Sequence, residues 1–173
     1  MMKTLILGGV RSGKSRLAEQ YARASGLNIT YIATATVQDQ PMQQRVDQHR
    51  KHRPAEWSLI EEPLALADTL RQQAGAERLL LIECLTLWLT NLLMLKDEGR
   101  LEQEREALLQ CLPNLPGEII LVSNETGLGI IPLGELSRRF CDEAGVLHQQ
   151  IAQACDRVIL TVAGLPHFLK GNS

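Results

Sequence analysis

The sequence predicts an α/β domain of three layers, a mostly parallel sheet flanked by helices. Three observations carry this. Short runs rich in Ile, Leu and Val alternate with longer amphipathic stretches along the chain. Most of the short runs are apolar without interruption, the pattern of strands covered on both faces. No internal repeat, low-complexity segment or linker divides the 173 residues, so residues 1–173 are expected to form one domain.

The elements follow in order. "TLILGG" (4–9) is the first expected strand, and an amphipathic helix over 14–25 follows, with Gly26 as its C-cap. "NITYIAT" (28–34) is the next strand. A helix over roughly 40–52 then starts from Asp39 as cap with Pro41 in its first turn, and Pro54 ends it. "AEWSLIEE" (55–62) reads as a shorter, sixth strand, followed by a helix over 63–73. The strand "RLLLIEC" (78–84) leads into a helical stretch over 85–111, broken near Gly99 in the polar patch "KDEGR". Pro113 and Pro116 stop that stretch before the strand "EIILVSN" (118–124). A helix over 133–155 precedes "DRVILTVAG" (156–164), the last expected strand. Short apolar runs do not by themselves separate strand from buried helix, and the alternation is what favours strands.

Composition removes several classes of function. The net charge is −2, with 18 Lys and Arg against 20 Asp and Glu, so no excess positive field is present to hold nucleic acid. Cys84, Cys111, Cys141 and Cys155 are scattered without metal-ligand spacing and read as reduced thiols. The longest apolar run, "CLTLWLTNLLML" (84–95), contains Thr and Asn and is too short to span a bilayer. A Gly-rich turn cuts short the first apolar run, so no signal peptide is expected. A cytoplasmic protein with no membrane span follows.

That Gly-rich turn is the clearest chemical signal. "GGVRSGKS", Gly8, Gly9, Val10, Arg11, Ser12, Gly13, Lys14 and Ser15, fits G-x-x-x-x-G-K-[ST], directly after a strand and at the start of a helix. Glycines let successive backbone N–H groups converge on phosphate oxygens, and the helix N-terminus adds favourable partial charge. Lys14 would reach the β- and γ-phosphates and Ser15 would hold Mg²⁺. The alternative is a chance Gly-rich turn. In an alternating sheet this motif implies a P-loop NTPase domain of the RecA-like kind. Such a site also wants an acid at the end of a neighbouring apolar strand, and Glu83 stands there, unless it is only a strand-end carboxylate facing solvent. Glu125, after "VSN", is a second carboxylate expected at the same cleft. The loop alone leaves a small-molecule kinase, a nucleotide switch and an ATPase motor module open.

A second cluster packs Arg45, His49, Arg50, Lys51, His52 and Arg53 into the expected helix over 40–52 and its end. Arg45 and His49 share a face, and His52 follows one turn later. A solvated basic face, a zinc site through His49 and His52, and a histidine nucleophile all remain open from spacing alone. Neighbouring cations favour the unprotonated ring, which suits attack on phosphorus.

Together "GGVRSGKS", "YIATA", Arg45-x-x-x-His49-x-x-x-Arg53-Pro54, "ECLTLWLTNLL", "VSNETGLGIIP" and "FCDEAGVLHQ" resemble the bifunctional adenosylcobinamide kinase / adenosylcobinamide-phosphate guanylyltransferase family of cobalamin biosynthesis. The similarity runs from about residue 3 to the "VAGLP…LK" ending. It implies that ATP or GTP phosphorylates adenosylcobinamide. GTP then guanylylates His49, and GMP passes to adenosylcobinamide phosphate, giving adenosylcobinamide-GDP. It further implies nucleotide contacts at Thr34, Ala35, Thr36, Arg50, Lys51, His52, Arg53, Glu61 and Glu83, beside the loop residues. A homotrimer is also implied; Mg²⁺ at Ser15 and Glu83 is expected from the phosphate loop itself, and His49, Lys14 and Glu83 are the expected catalytic set. The family often has Asn where His148 stands, and packing on the helix is the favoured role for that residue. The alternatives kept open are a kinase or guanylyltransferase with one activity only, and a non-catalytic nucleotide switch.

Overall fold

The structure is a computed structural model that describes residues 1–36, 54–95 and 97–172. Among the described residues seven strands form one sheet: β1 (Lys3–Gly8), β2 (Asn28–Ala33), β3 (Ser58–Glu61), β4 (Arg78–Glu83), β5 (Glu118–Asn124), β6 (Arg157–Val162) and β7 (Leu165–Lys170). Their spatial order is β3-β2-β4-β5-β1-β6-β7. Every neighbouring pair is parallel except the antiparallel β6–β7 hairpin. The helices among the described residues are α1 (Lys14–Ala24), α2 (Leu66–Gln73), α3 (Leu85–Leu93), α4 (Glu98–Cys111) and α5 (Glu135–Ala154), with a 3₁₀ turn at Leu112–Asn114.

The layering follows from the two-residue period of a strand. Leu5, Leu7, Ile32, Leu80, Ile82, Ile119 and Leu121 face one way, packing with Leu66 and Leu70 of α2, Trp88 and Leu92 of α3, Leu108 of α4 and Ile151 of α5. The intervening Ile6, Tyr31, Leu79, Leu81, Ile120 and Val122 face the other way, packing with Ala18 and Ala22 of α1 and with Trp57. Burial on both faces is why β1, β4 and β5 read as unbroken apolar runs. The three-layer expectation holds.

Several boundaries differ from expectation, each for a local reason. The final expected strand, 156–164, ends at Val162, and a further strand that was not expected follows it. Ala163 (φ 53°) and Gly164 (φ 80°) form a two-residue turn, and β7 runs back along β6. Two positive φ values match the twist of a hairpin, but such turns favour Asn-Gly or Asp-Gly, so Ala-Gly carries little signal. Pro166 is tolerated because β7 lies at the sheet edge.

The stretch expected over 85–111 breaks near Gly99 as expected, α3 ending at Leu93 and α4 starting at Glu98, with Gly99 itself inside α4. Asp97 is the cap, its side chain accepting from the Gly99 N–H at 3.0 Å. β3 begins at Ser58, because the Trp57 N–H donates to the Pro54 carbonyl in a turn. Buried Trp57 lies under the Arg23 guanidinium, 5.4 Å from its ring centroid. The helix expected over 63–73 starts at Leu66, where the Glu62 carboxylate accepts from the N–H groups of Leu64 (2.8 Å) and Ala65 (2.7 Å). The end of α1 is as expected, with Gly26 left-handed (φ 68°) just past it. The helix expected over 40–52 lies outside the described residues.

Candidate active site

The parallel register brings five strand ends to one edge. Gly8 pairs with Asn124, Glu83 with Val122 and with Ala33, and Ala33 with Glu61. The carboxyl edge of such a sheet is where ligands bind in open α/β folds. Gly8 to Ser15 wrap from the end of β1 into α1 at this edge.

Packing dictates two of the loop's glycines. A Cβ on Gly8 would meet Ser12 Oγ at 2.3 Å and the Thr161 carbonyl at 2.8 Å. Gly13 has φ 95°, and a Cβ there would lie 3.1 Å from Gly164 Cα. Among the described residues nothing lies within 4 Å of such a Cβ on Gly9. Arg11 holds a left-handed backbone at φ 56°, unusual for a non-glycine residue. Exposed Val10 projects outward, and the Ser12 N–H closes the turn on the Gly9 carbonyl at 3.2 Å. Lys14 curls back so that Nζ donates to the Gly9 carbonyl at 3.3 Å. Its ammonium thus sits over the loop's opening.

Ser15, in the first turn of α1, donates its hydroxyl to Glu83 Oε1 at 2.5 Å. β4, which carries Glu83, is separated from β1 by β5. The two oxygens expected to share a metal ion are therefore brought together by a helix start and a strand end 68 residues apart. The peptide that follows Glu83, to Cys84, is cis.

Thr34 belongs to the floor of this edge. It is fully buried, its hydroxyl donates to the Cys84 carbonyl (2.7 Å) and accepts from the Cys84 N–H (2.9 Å), and its own N–H meets the Glu83 carbonyl. Asn91 of α3 ties the same segment down. Its Nδ2 donates to the carbonyls of Thr34 (2.7 Å) and Pro63 (3.1 Å), and Oδ1 accepts from the Thr36 hydroxyl at 2.5 Å. Thr34 thus fixes the backbone under Glu83, while half-buried Ala35 and exposed Thr36 stand nearer the surface. Glu61 is exposed at the end of β3. His49, Arg50, Lys51, His52 and Arg53 lie outside the described residues, as does Arg45.

Sequence reasoning missed Asn91, whose only signal was a polar residue inside an apolar helix. It did expect Glu125 at this cleft, but not the partners that surround it. The Glu125 N–H donates to the Gly8 carbonyl at 3.0 Å, Oε1 accepts from the Gly127 N–H at 2.6 Å, and Oε2 lies 3.8 Å from His148 Nδ1. His148, buried on α5, hydrogen-bonds Ser123 Oγ through Nε2 at 2.8 Å. Burial pushes its pKa down, and the Glu125 carboxylate offsets part of that. The favoured reading of His148 as a packed residue agrees with its burial, and its imidazole is hydrogen-bonded inside the fold.

The cysteines are free thiols. Burial raises the pKa of Cys84 and Cys111 and pushes Cys155 up to about 12, so these three are poor nucleophiles. Among the described residues, no helix is long and apolar enough to cross a membrane.

A parallel sheet with this loop at its carboxyl edge, and an acid from a nearby strand on the loop's serine, defines a P-loop NTPase. A solved ATPase of the type III secretion system of pathogenic bacteria has the same fold, with a TM-score of 0.56 at 12% identity over 96% of this chain and 56% of that one. The chain belongs to the cobinamide kinase / cobinamide phosphate guanyltransferase family, whose model matches residues 4–169. It is 66% identical to the bifunctional adenosylcobalamin biosynthesis protein CobP of Pseudomonas aeruginosa PAO1, over 98% of both chains. It is 36% identical to CobU of Escherichia coli K12, over 95% of this chain and 97% of that one.

Proposed function

We propose that this protein is a bifunctional adenosylcobinamide kinase and adenosylcobinamide-phosphate guanylyltransferase that works through a guanylyl-histidine at His49. Family membership across residues 4–169 is the observation that carries both activities. The P-loop with Ser15 on Glu83 supplies the phosphate chemistry. In the kinase step the substrate hydroxyl attacks the γ-phosphorus of ATP or GTP and the nucleoside diphosphate leaves. Loop N–H groups and Lys14 stabilise the charge on the transferring group. In the second step a ring nitrogen of His49 attacks the α-phosphorus of GTP and pyrophosphate leaves. A phosphate oxygen of adenosylcobinamide phosphate then displaces the histidine, giving adenosylcobinamide-GDP.

The donor set at the loop fits Mg²⁺. A hydroxyl and a carboxylate oxygen 2.5 Å apart are hard ligands, and so few protein ligands suit an ion that is otherwise held by phosphates and water. Ser15 and Glu83 would hold it, and bound there it neutralises charge on the β- and γ-phosphates. Arg50, Lys51, His52, Arg53, Thr36 and Glu61 complete the nucleotide contacts in this reading, with Thr34 acting through the backbone it fixes. One domain, residues 1–173, carries both reactions in a cytoplasmic homotrimer.

Covalent labelling tests the reading. Protein mixed with Mg²⁺ and GTP labelled at the α-phosphorus, then denatured, should retain acid-labile, base-stable label. His52→Ala should keep that label, and His49→Ala should lose it together with several orders of magnitude in guanylyl transfer. Absence of label on a protein that binds GTP would reduce the reading to a P-loop kinase or switch.

A further inference from the structure

Two carboxylates end strands next to the phosphate loop, and they are placed differently. Glu83 terminates β4, two strands from β1, or about 10 Å at the usual spacing. It reaches the loop through Ser15, where it serves the metal site proposed above. Glu125 directly follows β5, the immediate neighbour of β1, and its N–H is bonded to Gly8. Its carboxylate is oriented by one hydrogen bond, from the Gly127 N–H to Oε1, and the buried His148, anchored on Ser123, stands 3.8 Å from Oε2.

The side chain keeps 21% of its surface exposed, so it remains accessible at the rim. Beyond it the chain leaves the sheet as an exposed apolar arm, with Leu128 at 82%, Ile130 at 98% and Leu133 at 95% exposure. Glu125 therefore stands where the phosphate loop gives way to an apolar surface. A large, partly apolar acceptor bringing one hydroxyl to the γ-phosphate would meet the nucleotide at such a junction.

We propose that Glu125 is the general base of the kinase step, resting on the kinase reading above. The Glu125 carboxylate accepts the hydroxyl proton as the hydroxyl oxygen bonds to the γ-phosphorus. The bond from that phosphorus to the β-bridging oxygen breaks, the nucleoside diphosphate departs with the electron pair, and the proton passes from Glu125 to water. The guanylyl step makes no such demand, because a phosphate oxygen already carries its negative charge. Glu125 thus belongs to one half-reaction.

The test separates the two half-reactions in the intact protein. Phosphorylation of adenosylcobinamide and covalent labelling by GTP are measured for the unaltered protein, Glu125→Gln and Glu125→Asp. Glu125→Gln, which preserves shape and the acceptor for Gly127, should lower kinase kcat by about 10²–10⁴-fold with little change in KM. Labelling should be unaffected, and Glu125→Asp should recover part of the kinase rate. Unchanged kinase kcat in Glu125→Gln overturns the proposal. So does an equal fall in both half-reactions, which would mark Glu125 as a structural brace of the loop. An unaltered protein that takes the label yet never phosphorylates adenosylcobinamide defeats the kinase reading itself, and the inference with it.

Discussion

Two tight turns meet at the carboxyl edge of the sheet, and they are built for opposite purposes. The loop from Gly8 to Lys14 turns outward: no described residue comes within 4 Å of a Cβ on Gly9, and Lys14 folds back to the Gly9 carbonyl. The Ala163–Gly164 turn of the β6–β7 hairpin turns inward onto that loop. The Gly164 N–H donates to the Ser12 carbonyl at 2.8 Å, and Gly164 Cα sits where a side chain on Gly13 would go. One turn presents backbone donors to a ligand. The other holds a carbonyl of that loop away from the ligand, where it would repel phosphate. A phosphate cradle therefore needs a support that satisfies its acceptors as well as a sequence that frees its donors.

Substitutions on the two sides should separate these roles. Lys14→Ala should have the largest effect, lowering kinase kcat by about 10²–10³-fold for loss of one preorganised cationic donor. Its thermal midpoint should stay close to that of the unaltered protein, because the hydrogen bond it gives up among the described residues is the exposed one to the Gly9 carbonyl. A large fall in midpoint would mean that Lys14 holds the loop together, and the contrast between the turns would fail.

Gly164→Ala should act the other way. The left-handed backbone at φ 80° costs an alanine about 1–2 kcal/mol, which lowers the midpoint by several degrees in a domain of this size. Among the described residues a Cβ there would meet only Arg16 Nη2 at 3.5 Å, an ordinary contact, so the loss isolates the backbone. Both half-reactions should weaken modestly and together. Full stability with selective loss of one activity would show that the hairpin itself touches a substrate.

The contrast also explains what could be read in advance. The outward loop was legible because ligand chemistry restricts residue types at fixed spacing, from Gly8 through Lys14 and Ser15 to Glu83 at a strand end. The central strands were legible because both their faces are covered. The hairpin was not, since its demand falls on backbone geometry that Ala163 meets without the usual turn residue. Asn91 was unreadable as to role, because its partners Thr34 and Pro63 lie 57 and 28 residues away, and packing was legible for His148 while its partner Ser123, 25 residues away, was not. Thr34 was placed at the nucleotide by resemblance, and its hydroxyl is spent on both sides of Cys84.

His148 gives the smallest effect and sharpens the contrast from the interior. Like Lys14 it can carry a positive charge at this edge, but it is buried, and burial lowers its pKa from the ordinary 6.5. In the unfolded chain the ring takes up a proton as pH falls through about 6.5, while in the fold it stays neutral to lower pH. Its contribution is therefore whole above the unfolded value and is lost as pH falls toward the folded one. The thermal midpoint should drop between about pH 7 and pH 5, and His148→Asn should remove part of that drop. Asn cannot protonate, yet it can still hydrogen-bond Ser123. If the His148→Asn protein follows the unaltered protein across the same range, the acid sensitivity arises elsewhere, and Glu125 is held without help from a neutral imidazole.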